Sequence, residues 1–270
     1  MTAPATVLSR AGRSPALLGL LGLAGFAALL EALPRLGVLP AEHFPPLSVI
    51  ARALADEAGR AGFWQAVLGT VTTWLLGLAI AIALGIGAGL LIGTVPVLRA
   101  ATASTIEFLR PIPSVALLPL AVVLFSAPVR SILLLVVYAS VWQVLIQVLH
   151  GVADVDPVAR ETAESYRLGR LRRARYLVWP TTLPYAMTGI RLAASVALVL
   201  TVTGELFIGG TKGIGEELSV ARNSGDDGVP VMYALVIVAG LLGLAANLVT
   251  RRAERTVLAW HPSVRRELPL

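Results

Sequence analysis

Apolar residues occur along this chain in six long runs that are nearly free of charged side chains. Several of these runs have close to the roughly 20 residues that an α-helix needs to cross a hydrocarbon layer of ~30 Å. The pattern predicts an all-α, polytopic membrane protein. The six transmembrane helices are expected at 15–33, 63–92, 103–125, 132–149, 184–208 and 231–249.

Three of these runs have special features. The run from 63 to 98 is too long for one minimal span, so its start is expected to be an amphipathic segment at the interface. The third run contains Pro111, Pro113 and Pro119. Proline lacks the amide donor of a helix, so this span is predicted to bend or break. The first run is also compatible with a signal peptide, but no small-residue cleavage site follows it, which favours a retained span.

Composition agrees with the pattern. The chain is 56% hydrophobic and 14% charged, whereas soluble domains carry about 25% charged residues. The net charge of +6 would suit nucleic acid, but the basic residues lie at the ends of apolar runs, where membrane topology explains them. Their distribution over six spans places both termini in the cytoplasm and the protein in the cell membrane. With no cysteine and three scattered histidines, a metal site is not expected.

A polar segment at about 154–180 separates the fourth and fifth spans. Asp156 and Pro157 predict a helix start, because aspartate caps free amides and proline suits the first helical position. The helix would be short and amphipathic. Two alternatives remain open from composition: a helix that rests in the lipid headgroups, or a helix that docks on another protein. Its apolar arc comprises Val155, Val158, Ala159, Thr162, Ala163 and Tyr166, opposite Asp156, Arg160, Glu161, Glu164 and Arg167.

The stretch "ETA", an arginine-rich turn and then "WPTTLP" resembles the cytoplasmic signature of ABC importer permeases. Glu161 matches the signature glutamate and Pro180 the signature proline. Arg167 stands at the glycine position, with Gly169 two places later, which leaves open where the helix ends. The stretches "FLRPIPSVALLPLAVVLF" and "GIRLAASVALVLTVTGELFIGGTKGIGEEL" resemble the nitrate, sulfonate and taurine branch of that family. The resemblance covers about 63–257.

The resemblance implies a type I importer permease. In such proteins a coupling helix between spans 4 and 5 docks on a separate ATPase, with Ala163 and Tyr166 expected here as the apolar anchors. The implied partners are ATP-binding cassette ATPase subunits, a second permease copy, an extracytoplasmic solute-binding protein and membrane lipids. This chain would bind no cofactor, since ATP and Mg belong to the ATPase. The expected docking residues are Asp156, Arg160, Glu161, Ala163, Tyr166, Arg167, Gly169 and Pro180.

The resemblance also implies a division into three parts. Residues 1–62 hold the N-terminal tail, the first span and an outer amphipathic segment. Residues 63–257 form the permease core, and 258–270 form a basic cytoplasmic tail.

The sequence independently argues against an ATPase site in this chain. A Walker phosphate loop needs lysine followed by serine or threonine, and the only lysine, Lys212, precedes Gly213. An alternative function is an ion-coupled secondary transporter, which would show inverted repeats, and the two halves have no clear repeat. A membrane-embedded enzyme is a further alternative. It would need a catalytic cluster within the spans, where no His pair, Asp pair or Ser beside a base occurs.

Polar side chains within spans are the candidates for a translocation path, because each is costly in lipid unless it faces protein or water. The structural alternative is that threonines bond their own backbone and glutamines bridge helices. Arg191, in span 5, either snorkels to the inner interface or binds an anion. The loop at 209–228 is either part of an outer gate or binding-protein site, or a solvated connector. The path candidates are Gln143, Gln147, Thr201, Thr203 and Glu205.

Overall fold

A computed structural model describes residues 15–260, and these residues contain helices and no strand. Arg10, Arg13 and the tail from residue 261 onward lie outside the described residues. The helices are α1 (Pro15–Arg35), α2 (Leu47–Ala58), α3 (Ala61–Thr94), α4 (Pro96–Leu109), α5 (Leu118–Leu124), α6 (Pro128–Ala153), α7 (Pro157–Ser165), α8 (Arg170–Arg173), α9 (Trp179–Ile208), α10 (Ile214–Asn223) and α11 (Val229–Val257). Short 3-10 turns occupy Ser114–Leu117 and Gly225–Gly228, and a π-turn occupies Ala174–Val178.

Five helical stretches among the described residues are long and apolar enough to cross a membrane, and there are six if a bent pair of helices counts as one span. The bent pair is α4 and the helix Ser114–Leu124, which meet at 84°. The break contains Pro111 and Pro113, whose missing amide donors end the helical hydrogen-bond ladder. The all-α polytopic prediction is therefore confirmed, and so is the break in the third span.

The two largest differences from the sequence-based span boundaries concern the sixth and the fifth spans. Helix α11 continues to Val257, eight residues beyond the predicted end at 249. The fifth span was expected to begin at Pro184, but one helical stretch runs from Arg170 to Ile208 through both Pro180 and Pro184. Pro180 lies at the start of α9, directly after the π-turn. A π-turn re-routes backbone hydrogen bonds, which explains why the chain remains helical there.

The described chain forms two compact units. The first contains residues 15–63 and 220–236. Within it, the Glu31 carboxylate accepts hydrogen bonds from the Ser48 backbone and hydroxyl, at 2.8 and 2.9 Å, and pairs with Arg35 at 2.5 Å. These bonds connect α1 to α2. The Tyr233 hydroxyl donates to the backbone carbonyl of His43 at 3.1 Å.

The second unit contains residues 64–219 and 237–260, and its centre is the packing of α6 on α9. Alanines and glycine on α9 allow this close approach. A Cβ added at Gly189 would lie 3.0 Å from the Val144 Cα on α6. The buried small residues of α9 in this contact include Ala186, Gly189, Ala193, Ala194 and Ala197.

Helix α3 packs on α6 through a stripe of glycines. A Cβ at Gly85 would approach the Val144 Cβ to 2.6 Å, and one at Gly89 would approach the Val148 Cγ1 to 2.7 Å. From one pair to the next the position advances by the same number of residues on both helices, first by two turns and then by one turn at a time, so α3 and α6 run parallel and in register. The full set of pairs is Gly77 with Val136, Gly85 with Val144, Gly89 with Val148 and Gly93 with Val152.

Candidate functional site

The predicted coupling helix is α7, and its first turn has the expected cap. The Asp156 carboxylate accepts a hydrogen bond from the Val158 backbone N–H at 2.8 Å, and Pro157 occupies the first helical position. The cap satisfies a backbone donor that has no partner inside the helix. The predicted helix start at Asp156 and Pro157 is confirmed.

The structure shows where α7 ends, which the sequence left open between Arg167 and Gly169. Arg167, at the glycine position of the signature, has a left-handed φ of 51°, whereas Gly169 is extended with φ −60° and ψ 158°. The Leu168 N–H donates to the Ala163 carbonyl at 2.9 Å, and the Arg167 N–H donates to the Glu164 carbonyl at 2.8 Å. These two bonds form a Schellman motif. The helix-ending turn therefore lies at Arg167 and is not displaced to Gly169.

Replacing Arg167 with glycine is expected to stabilise this turn. A non-glycine residue in the left-handed region costs about 1 kcal/mol, so the Arg167→Gly variant should slow hydrogen exchange of the Leu168 amide about fivefold. Arg170→Gly is the control, because Arg170 is helical and glycine there should give no protection. Faster exchange in Arg167→Gly would mean that the arginine side chain, rather than its backbone conformation, holds the turn.

The eight predicted docking residues differ in accessibility. Ala163 is 6% exposed and packs within its own chain, whereas Tyr166 is 79% exposed and Val158 is 68% exposed. Ala163 is therefore not available as an apolar anchor, because its own chain already covers it. Pro180 is half-buried at the start of α9, and the remaining predicted docking residues, Asp156, Arg160, Glu161, Arg167 and Gly169, are exposed. An ion pair between Glu164 and Arg173 connects α7 to α8.

The junction between α6 and α9 contains residues that were not predicted from the sequence as functional. The Tyr185 hydroxyl donates to the Asp154 carboxylate at 2.9 Å, which links the start of α9 to the end of α6. Both residues line a cavity of about 460 Å³ together with Pro180 and Pro184. The cavity is lined by the first turns of α9, which directly follows the π-turn in the chain, and π-turns are frequent at functional sites. The signal available in the sequence was an aspartate and a tyrosine near the ends of adjacent spans.

The predicted path residues do not share one environment. Thr201 and Glu205 are completely buried within the chain, whereas Gln143, Gln147 and Thr203 are partly exposed. The Thr201 hydroxyl donates to the Ala197 carbonyl of its own helix at 2.8 Å. This is the structural alternative that the sequence left open for threonine.

Glu205 lies in a buried cluster that the sequence did not predict. Its carboxyl oxygen Oε2 accepts hydrogen bonds from the Thr70 hydroxyl at 2.7 Å and from the Gly215 N–H at 3.1 Å. Thr70 is on α3 and Gly215 is in the first turn of α10. The side chain therefore joins three helices within one chain, and in this structure it faces no open path.

Arg191 pairs with a residue from the last helix. Its guanidinium lies 3.2 Å from the Glu254 carboxylate, and both side chains are partly buried. The ion pair connects α9 to the C-terminal end of α11. Glu254 lies beyond the predicted end of the sixth span, and this pairing was not predicted from the sequence. Among the described residues, no group of three or more His, Cys, Asp or Glu is arranged to hold a metal.

Comparison with known families decides what this helical scaffold is. The model of the family described as "Binding-protein-dependent transport system inner membrane component" matches residues 81–258. The chain belongs to this family. The matched region contains α7 with its caps, the junction at Tyr185 and the Glu205 side of the buried cluster.

Three relatives place the permease within the family. It is 30% identical to the taurine transport system permease protein TauC of Escherichia coli (strain K12) over 226 residues, 82% of this chain and 81% of the relative. It is 29% identical to the nitrate import permease protein NrtB of Leptolyngbya laminosa over 68% of this chain and 65% of the relative. It is also 29% identical to the bicarbonate transport system permease protein CmpB of Synechococcus elongatus, over 57% of this chain and 55% of the relative.

The family membership and these relatives identify the chain as an ABC importer permease of the nitrate, sulfonate and taurine family. It is a multi-pass membrane protein and a transport component without enzymatic activity, whose ATPase is a separate chain. This confirms the resemblance that the sequence showed. ATPase and binding-protein partners follow for such transport systems in general.

Proposed function

We propose that this permease receives the energy of ATP hydrolysis through α7. Helix α7 is held at both ends, by the Asp156 cap and by the Schellman turn at Arg167. It nevertheless leaves two large apolar side chains, Val158 and Tyr166, exposed. Exposed apolar side chains on a rigid element are typical of a protein contact. This observation carries the proposal that α7 is seated in a cleft of an ATPase subunit, with Arg160 and Glu161 at the rim.

Beyond the turn at 166–169 that ends α7, the connection to the membrane is continuous helix, and the ion pair between Glu164 and Arg173 links the two sides of that turn. The stretch from Arg170 to Ile208 is unbroken, and Tyr185 bonds Asp154 at the base of α6. A displacement of α7 by the ATPase would therefore tilt α9 and α6 together. In an assembly of two permease copies, such a tilt would expose the path to alternate sides of the membrane.

The solute is proposed to be a small anionic or zwitterionic organic compound. The relatives are named for taurine, nitrate and bicarbonate, which are all anions or zwitterions at neutral pH.

Of the predicted path residues, we retain Gln143, Gln147 and Thr203, because their side chains are partly exposed. We also propose that both termini are cytoplasmic, because basic residues such as Arg251 and Arg252 are concentrated on the cytoplasmic side of membrane proteins.

Reconstitution tests this function. The permease, its ATPase and its binding protein would be placed in lipid vesicles, and ATP hydrolysis measured with taurine, ethanesulfonate, nitrate, bicarbonate and the cation choline. We expect at least one of the anionic or zwitterionic compounds to stimulate hydrolysis and choline to have no effect. Uptake that follows an ion gradient and needs no ATP would instead support the secondary transporter.

A further inference from the structure

We infer that Glu205 is a positioning residue that fastens the outer loop 209–213 to α3 and α9, and that it does so as a hydrogen-bond acceptor rather than as a charge. This assigns Glu205 a role other than the path lining expected from the sequence. It goes beyond the proposed function, since it concerns the end of α9 opposite the coupling helix. The inference holds whether or not α7 docks on an ATPase.

The hydrogen bonds converge on one carboxyl oxygen. Glu205 Oε2 receives the Thr70 hydroxyl and the Gly215 N–H, and the Thr70 hydroxyl in turn accepts the Ile214 N–H at 2.8 Å. Thr70, Glu205 and Ile214 are each 0% exposed. Glu205 and Thr70 thus satisfy two amide donors in the first turn of α10, where no intrahelical partner exists.

Three glycines make this convergence possible. A Cβ at Gly213 would collide with the Glu205 carboxyl group, and one at Gly215 would lie 2.6 Å from the Glu205 Cβ. A Cβ at Gly69 on α3 would lie 2.7 Å from the Lys212 carbonyl oxygen. The loop therefore packs against α3 and α9 at backbone distance, and Glu205 fills the space between them.

The groups around Glu205 require a hydrogen-bond acceptor, and among the described residues none forms an ion pair with its carboxylate. The ion pairs among the described residues do not include Glu205, and its second oxygen, Oε1, has no hydrogen-bond partner. A buried charge without a partner is strongly unfavourable. The two bonds to Oε2, however, require only an oxygen at that position. Glutamine would supply this oxygen in a side chain of the same length.

A second carboxylate holds the same loop from its other side. Glu216 on α10 accepts the backbone N–H groups of Lys212, at 2.6 Å, and Thr211, at 2.8 Å. Partial burial acts to raise the pKa of Glu216, but these backbone N–H groups outweigh it, so that its pKa lies below the usual value. Glu216 thus shapes the loop locally, whereas Glu205 attaches it to the spans. The outer loop is expected to move with α9 for as long as the Glu205 bonds persist.

The chain offers a direct probe of this attachment. Lys212 is its only lysine, so endoproteinase Lys-C can cut the native, full-length protein only after that residue. Cleavage requires the loop to leave its position. The rate of cutting in lipid nanodiscs therefore measures how often the attachment opens. We expect Thr70→Val and Glu205→Ala each to raise the rate about tenfold or more, because each leaves buried amide donors without an acceptor.

Two further variants make the test decisive. Thr201→Val is the matched control, because Thr201 is also 0% exposed but bonds only within α9. It should leave the rate within about threefold of wild type, since only a local bond is lost. Glu205→Gln should also leave the rate within about threefold of wild type, because glutamine keeps the acceptor oxygen but carries no charge. This variant therefore distinguishes a role as a hydrogen-bond acceptor from a role as a charge. The inference is overturned if Glu205→Gln is cut as fast as Glu205→Ala, or if Thr70→Val behaves like Thr201→Val.

Discussion

Replacing Tyr166 with alanine is expected to weaken the association of this permease with its ATPase by about 30-fold or more, which corresponds to the loss of one central aromatic contact. Tyr166 is 79% exposed at the end of α7, so its own chain leaves most of the side chain uncovered. Val158→Ala on the same helix should also weaken the association, but by less than Tyr166→Ala does. The measurement is binding of the purified ATPase to the permease in nanodiscs.

Tyr176→Ala provides the matched control. Tyr176 is also an exposed tyrosine of the segment between α6 and α9, at 69%, but it lies on the π-turn outside α7. We expect this variant to bind the ATPase as wild type does. Ala163 is unsuitable as a test position, because its burial within the chain means that a polar substitution would disturb α7 itself. Equal losses for Tyr166→Ala and Tyr176→Ala would point to a lipid-facing segment instead.

Replacing Gly89 with alanine is expected to destabilise the permease by about 1–3 kcal/mol, the usual cost of overpacking a close contact. The added Cβ would lie 2.7 Å from the Val148 Cγ1 and 2.8 Å from its Cβ, so α3 and α6 would have to separate. Close helix approach in a membrane relies on such small residues, because apolar side chains gain little by leaving lipid for protein. The midpoint of thermal unfolding in detergent measures the loss.

Two variants on the same helix test the reason for this loss. Gly87 has nothing within 4 Å of an added Cβ, so Gly87→Ala should not lower the midpoint. At Gly77 the nearest atom is the Val136 Cγ1, at 2.5 Å, and the Val136 Cβ is at 3.1 Å. Gly77→Ala combined with Val136→Ala should therefore recover part of the stability that Gly77→Ala loses. If Gly87→Ala is as damaging as Gly89→Ala, the close contact with Val148 is not the cause, since alanine by itself favours a helix more than glycine does.

In the loop between α6 and α9, local sequence information was sufficient to predict the start of α7 but not its end. Asp156 and Pro157 predicted the start of α7 correctly, because capping depends on residues two or three positions apart. The end of α7 was left open between positions 167 and 169, because glycine is the residue that usually adopts the left-handed conformation. In this chain Arg167 adopts it, and two backbone hydrogen bonds outweigh the steric preference.

The candidate site was less accessible to sequence reasoning than the fold. Ala163 and Tyr166 lie three residues apart and share one arc of α7, yet one is buried and the other exposed. Helical periodicity predicts which residues share an arc. It does not predict which of them are covered by other segments of the chain. The same limitation applied to Thr201 and Glu205, whose polar side chains in an apolar span are as compatible with a buried cluster as with a path.

The sequence by itself determined the helical class, the polytopic membrane character, the break at the prolines of the third run and the family, because hydropathy, proline and a short signature motif act locally. Only the tertiary structure decided which polar residues are buried and what they hold together. Glu205 bonds Thr70, which is 135 residues away in the sequence, and Gly89 fits Val148 across a helix interface. Such contacts depend on how distant segments pack, and no local pattern contains that information.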